Sequence, residues 1–458
     1  MELKGIKTSI SNQPALDSEY IPLYGFSEAF EKSAENGKAI TIALERENGL
    51  VSRRELKIHG TPEFAQADLL YAERTLKMLL WAAGGWRVYI SGDDALAEKI
   101  KRIYSPEGER AFDFDFMSGV YEKNFEVLAV PEDGLPEENE SPKPIGGNIK
   151  GCRIGFDAGG SDRKVSAVID GEPVYSEEVL WLPKLTEDPD YHYNEILTAF
   201  KTAASKMPRV DAIGVSSAGI YVANRAMVAS LFLKVPKDLF EAKVKDIYIN
   251  AAKAIGDVPL TVVNDGDVSA LAGASAIGEN EVIGLAMGTS EAVGYVNRDG
   301  YVTGWLNELA FAPVDVGAGR ARDEWSGDDG VGCKYFSQDA VIRLAEKAGI
   351  EIDGGLTLAK KLKYVQELME SGDKRARPVF ETIGAYLAHT IPYYAKFYRL
   401  KHILLLGRVM SGKGGDIIVE TAQRILDEEY PETAKSVKLA LPDEKFRRLG
   451  QSVVAASL

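Results

Sequence analysis

Sulfur and imidazole are scarce in this chain. Two cysteines, Cys152 and Cys333, among 458 residues leave no basis for a disulfide scaffold and fit a reducing compartment. With four scattered histidines they supply too few ligands for a structural zinc site. Long apolar runs are missing as well. No stretch reaches the ~20 residues that span a bilayer, and the opening MELKGIKTSISNQ lacks the apolar core of a signal peptide. These absences point to a soluble, cytoplasmic protein without a membrane partner. Positive charge is in deficit: Lys plus Arg is 54 against 69 Asp plus Glu, a formal charge of −15. Phosphate backbones need a basic surface, so a nucleic-acid partner is not expected. What remains is ordinary globular material, 45% hydrophobic and 27% charged, enough for a large core.

One segment stands out for what it cannot pack. Residues 131–148, PEDGLPEENESPKPIGGN, are rich in Pro, Glu and Gly without apolar periodicity and read as a solvated linker. Residues 1–130 before it read as an α/β accessory domain. Ile40–Leu44 and Val51–Ile58 flank Asn48-Gly49, a pair that tolerates positive φ and suits a hairpin turn. Leu69, Ala72, Leu76, Leu79, Leu80 and Ala83 recur at helical spacing up to Gly84-Gly85. Phe112, Phe114 and Phe116 alternate with Asp113 and Asp115, which predicts a half-buried strand. No recognisable chemistry sits in this third.

Beyond the linker, strands and helices alternate in the α/β manner. Several strands end in polar, Gly-containing turns: Asp157-Ala158-Gly159-Gly160-Ser161, Ser216-Ser217-Ala218-Gly219, Asn264-Asp265-Gly266 and Gly288-Thr289-Ser290. Ligand crevices of α/β sheets lie at the carboxyl ends of strands, and glycine lets backbone N–H groups approach phosphate oxygens. Asp157 is placed to hold hydrated Mg²⁺, and Asp265 to serve as a general base.

The ordered set resembles a sugar kinase of the ROK family (repressor, open reading frame, kinase) within the actin-like ATPase superfamily. CRIGFDAGGSDRKVSAVIDG looks like the first phosphate loop, and DAIGVSSAG like the strand and loop before the sugar site. TVVNDGDVSALAGASAIGE is similar to the family's Asn-Asp motif, LAMGTSEAVGYVNRDGYVTG to its second phosphate loop, and NELAF to its sugar-binding Glu segment. ILLLGRVMSG resembles the nucleotide-base motif and LGQSVVAASL the closing helix. The resemblance implies a two-lobed, ribonuclease H-like fold with ATP and sugar in the cleft. Residues 149–265, closed by 443–458, would form the smaller lobe and 266–442 the larger, with 1–130 as an extra α/β domain.

The resemblance also implies roles. Asp265 would take the proton of the attacking sugar hydroxyl. Asn264, Glu308 and Ser217 would bind substrate. Asp157 would hold Mg²⁺, while Gly159, Gly160, Ser161, Gly288, Thr289 and Gly407 would line the ATP site. Phe311 occupies the place of the family's zinc-binding His and only Cys333 remains of the cysteine cluster, so no zinc is expected. Tyr335 stands where a second sugar-binding Glu belongs, and Arg408 replaces a Gly. Ser290, Glu291, Ala292 and Val293 precede Gly294 in the second loop, where side chains would crowd a phosphate.

Gly407 to Lys413 nearly spells a Walker A loop, but Gly414 replaces its Ser or Thr, so a base-binding turn is the expected reading. His192, between two tyrosines, reads as a surface residue, and Tyr386, Tyr393, Tyr394, Phe397 and Tyr398 as a packed helical stripe. The function expected is an ATP-dependent carbohydrate kinase, with a homodimer as a further expectation. The alternative is a non-catalytic sugar or nucleotide sensor on the same scaffold. A transcription regulator needs a recognition helix before the Asn48-Gly49 turn, and the sequence offers none.

Overall fold

A computed structural model describes residues 1–140, 144–228, 230–442 and 450–458. In chain order the elements that matter below are α1 (Leu23–Ser33), β1 (Lys38–Glu45), β2 (Val51–Ile58), α2 (Ala65–Ala83), β3 (Arg87–Ser91), α3 (Asp94–Ile103), α4 (Ala111–Tyr121) and β4 (Glu126–Ala129). After the Pro- and Glu-rich segment come β5 (Cys152–Ala158), β6 (Asp162–Ile169), β7 (Glu172–Leu180), α5 (Pro189–Ala204), β8 (Ala212–Ser217), β9 (Leu260–Asn264) and α6 (Asp265–Ile277). The remainder holds β10 (Val282–Met287), β11 (Glu291–Val296), α7 (Arg377–Tyr394), β12 (His402–Leu406), α8 (Lys413–Glu429), β13 (Lys438–Ala440) and α9 (Gln451–Ala455).

The described residues gather into two compact units. One takes 1–140, 285–293 and 305–441; the other takes 144–284, 294–304, 442 and 450–458. This division differs from the sequence boundaries: residues 1–140 group with 285–293 and 305–441, and residues 266–284 and 294–304 group with the second unit. Residues 1–130 do not stand apart from the segment after 305. Arg74 and Lys77 on α2 pair with Asp328 at 3.1 and 2.9 Å, and the Ile21 N–H donates to Asp315 Oδ1 at 3.1 Å. Helix α6 goes with the second unit, where Ser269 Oγ meets Gln451 Nε2 at 2.8 Å. Residues 443–449 of the expected closing segment, and 141–143 of the expected linker, lie outside the described residues.

In the first unit a sheet has the order β2-β1-β3-β4, with β4 parallel to β3 and the other pairs antiparallel. Asn48 (φ 59°) and Gly49 (φ 72°) make the expected β1–β2 turn. The aromatic alternation at 112–116 forms helix α4 instead of a strand, because i and i+4 spacing puts Phe112 and Phe116 on one face, against Trp81. The middle of the expected linker also packs: Val51 and Asn139 exchange backbone hydrogen bonds, and Glu140 pairs with buried Arg46 at 2.5 Å. A further sheet has the order β11-β10-β12-β13.

The second unit is built on the order β9-β8-β5-β6-β7. Strands β5, β6 and β7 are antiparallel neighbours, while β8 and β9 run parallel to β5. Strand β5 is almost wholly buried and reads as an apolar run; β7 at the edge alternates with polar residues. Gly155 and Gly214 are register partners, and a Cβ at either would overlap the backbone of α9 at Ser452 or Ala455. Two missing side chains thus let a helix lie directly on the sheet, with Ser166 Oγ 2.8 Å from Ser452 Oγ.

Candidate active site

Strand register assembles the carboxylate end of the second unit. Asp157 faces Ser216 across β5 and β8, and Ser217 faces Asn264 across β8 and β9, all at the carboxyl ends of parallel strands. Ser216 Oγ donates to Asp157 Oδ1 at 2.8 Å. Burial pushes the Asp157 carboxyl up to about 6; the Ser216 hydroxyl and Lys164 oppose the shift, and Asp265 and Asp162 add to it. The sequence pattern marks the adjacent Ser217, not Ser216, as the functional serine. Register distinguishes them, since one step along a strand reverses the face.

Asn264 is the N-cap of α6. Its Oδ1 accepts from Gly266 N–H at 2.7 Å, and its Nδ2 donates to Gly219 O at 2.7 Å. Asp265 therefore opens the helix at a fixed angle. It is half-buried, and burial raises its carboxyl above the ordinary range despite the Gly266 N–H. Ser217 is fully buried, with its Oγ 2.9 Å from Tyr248 OH and accepting from Tyr221 OH at 2.6 Å. Its hydroxyl belongs to the core network. The first loop is open: Gly160 and Ser161 are exposed, and Gly159 O accepts Trp181 Nε1 at 2.7 Å.

The first unit carries the second loop. Thr289 and Ser290 are exposed between β10 and β11, and Gly288 N–H donates to Ser290 O at 3.0 Å. Gly407 (φ 92°) turns directly against Met287, where a Cβ would overlap the backbone. Glu291 does not crowd this loop. It is 4% exposed, with Oε1 accepting from Tyr394 OH at 3.3 Å and Oε2 lacking a hydrogen-bond partner among the described residues. Burial pushes its carboxyl up to about 8; Tyr394 opposes the shift and Glu308 adds to it. Glu308 is held by its backbone N–H, which donates to Trp81 O at 3.0 Å.

The remaining candidates separate plainly. Tyr335 is buried and donates to Asp315 Oδ2 at 2.7 Å. His192 is buried, not on the surface as its sequence context suggests, because Trp181, Tyr191 and Phe232 enclose the ring. Lys413 donates from Nζ to Glu370 O at 3.0 Å, so the near-Walker lysine is tied to a neighbouring helix. The aromatic stripe is core, as its spacing predicts: Tyr386, Tyr393 and Tyr394 on α7 are buried, and so are Phe397 and Tyr398 just beyond its end.

No family model and no curated protein matches the chain. Solved structures do. A ROK hexokinase from Thermus thermophilus aligns with a TM-score of 0.51 and 18% identity over 67% of this chain and 96% of that one. A ROK family transcriptional regulator, a homologue of the E. coli MLC protein, gives the same TM-score and identity over 68% of this chain and 79% of its own. No helix among the described residues is long and apolar enough to cross a membrane. The chain has the α/β fold of the ROK sugar kinases and ROK regulators.

Proposed function

We propose that the protein is an ATP-dependent carbohydrate kinase with Asp265 as the general base. The observation that carries this reading is the Asp265 carboxylate, half-buried at a strand end and raised in proton affinity by burial. A base whose pKa moves toward the operating pH transfers protons better. Asp265 takes the proton as the sugar hydroxyl attacks the γ-phosphorus. The hydrogen bonds that make Asn264 a helix cap also hold Asp265 in place. An amide has two N–H donors; Gly219 uses one, and the other serves a sugar hydroxyl. Glu308 accepts from a further hydroxyl. Ser217 supports this end of the sheet through Tyr221 and Tyr248 rather than touching substrate.

Asp157 suits a Mg²⁺ ion. Ser216 occupies its Oδ1, and the neighbouring Asp265 and Asp162 charges favour a cation there. Mg²⁺, usually held by one or two carboxylates plus water, supplies neutralisation of phosphoryl charge. Gly159, Gly160, Ser161 and Thr289 offer backbone N–H groups to phosphates; the Gly288 N–H is taken by Ser290 O, and the Met287 backbone fills the space beside Gly407, so neither glycine serves the nucleotide directly. Calorimetric titration with Mg-ATP, with and without a hexose and amino-sugar pool, tests the reading. Saturable one-site nucleotide binding followed by phosphoryl transfer is expected.

A second reading, a sugar or nucleotide sensor, draws on Glu291. A buried carboxyl anchors the second loop where the family pattern runs through small residues. Sugar binding without nucleotide binding in the same titration would favour it.

A further inference from the structure

The rings at 112 and 116 that read as strand packing in the sequence form part of an open surface. Helix α4 presents Phe112 and Phe116, half-buried, with centroids 5.6 Å apart. Trp325 meets Phe112 at 5.5 Å and Phe311 at 5.2 Å, edge-on in both pairs. Phe311 is buried beneath them, 4.6 Å from Trp81. Trp325 itself is 65% exposed, an unusual position for the largest apolar side chain.

Looseness of the loop does not explain that exposure. Asp323 Oδ2 accepts from the Ser326 N–H at 2.8 Å and from Ser326 Oγ at 2.6 Å. Asp323 N–H donates to Asp328 O, also at 2.8 Å, and Asp328 is clamped by Arg74, Lys77 and Arg110. The loop is built to hold an indole outward.

The size of the surface selects the occupant. A fully buried aromatic side chain contributes roughly 150–250 Å². Three partly exposed rings therefore offer a few hundred Å², well short of the ~800 Å² per partner in a stable protein interface. Flat rings on a loop that also carries Glu324, next to Trp325 in sequence and paired with Lys334 at 2.9 Å, match a pyranose: C–H groups on its face, hydroxyls on its rim. Phe311 lies three residues beyond Glu308, and its N–H donates to Glu308 O at 3.1 Å.

We propose that Phe112, Phe116 and Trp325 form a stacking subsite for a second sugar ring, so that the substrate class is a disaccharide or larger glycoside rather than a bare hexose. The proposal rests on the kinase reading for the identity of Glu308 as the neighbouring sugar ligand.

The test titrates the full chain with matched pairs: glucose against maltose and cellobiose, and N-acetylglucosamine against its β-1,4 dimer. Tryptophan fluorescence and calorimetry read binding, so turnover is not needed. At least one disaccharide should bind more tightly than its monosaccharide. Trp325→Ala should weaken that disaccharide about tenfold, roughly the strength of one good ring contact, and leave the monosaccharide unchanged. Trp325→Phe should recover most of the loss, and circular dichroism should show all variants folded. Three results overturn the subsite: no pair bound at about 10 mM, both sugars of a pair weakened alike by Trp325→Ala, or a dimer in sedimentation that Trp325→Ala dissolves. Trp325-dependent disaccharide binding without phosphoryl transfer would sink the kinase reading and keep the subsite. Monosaccharide phosphorylation untouched by Trp325→Ala, with no disaccharide preference, would do the reverse.

Discussion

Single carboxyl groups carry most of the chemistry, and their surroundings set their charge. Asp265→Asn should keep sugar binding and thermal stability near wild type while lowering turnover at least about 10²-fold, the usual contribution of a general base. Full turnover in that variant would remove Asp265 from the role. Glu291 makes a separate prediction. Its carboxyl is raised from 4.5 to about 8 by burial. Between those values the folded protein binds a proton that the unfolded chain has released. Stability is therefore complete below about 4.5, falls as pH rises toward 8, and stays reduced above it. Glu291→Gln removes this titration. Its melting temperature should match wild type near pH 5 and exceed it at pH 9, read by calorimetry across the range. A variant that tracked wild type at both values would show that Glu291 is ionised throughout.

Elements depend here on side chains that are absent. Gly155 and Gly214 sit side by side in register beneath α9, where a Cβ would overlap helix backbone. Gly214→Ala should destabilise the second unit by about 1–3 kcal/mol, the range for overpacking a filled core. Urea denaturation measures the loss, and faster proteolysis near 450–458 would locate it. The glycines are visible in the sequence, but their partner helix is about 240 residues from Gly214 and about 300 from Gly155, beyond any local pattern. Helix α4 teaches the same lesson. Alternating Phe and Asp satisfy a strand's period of two, yet 112 and 116 also satisfy a helical i, i+4 pair. Trp81, packing on Phe112 and Phe116 from α2, chose between the two.

At the scale of the molecule, charges tie the N-terminal third to the rest of its unit. Lys77 is fully buried, 3.0 Å from Asp113 and 2.9 Å from Asp328. Burial alone would raise the Glu73 carboxyl, but Arg74 and Arg110 hold it at about 2. Lys77→Met strips one partner from this buried set and should lower stability by about 3–5 kcal/mol in a denaturant titration. Residues 131–458 expressed alone should fail to give a cooperative melt, because Asp328 would lose Arg74, Lys77 and Arg110 together. A soluble, cooperatively folded fragment would restore the view of an independent accessory domain.

The α/β class, the order of the strand-end turns and the likeness to ROK proteins were legible from the sequence, because each rests on residues close together in the chain. Apolar runs specify buried strands, and Gly beside Asp specifies the turns after them. Tertiary structure alone decided which neighbour mattered. Strand register paired Asp157 with Ser216 and turned Ser217 into the core. Enclosure by three aromatic rings buried His192, and burial gave Glu291 its high proton affinity. Desolvation and pairing depend on groups far apart in the chain, and no local pattern encodes them.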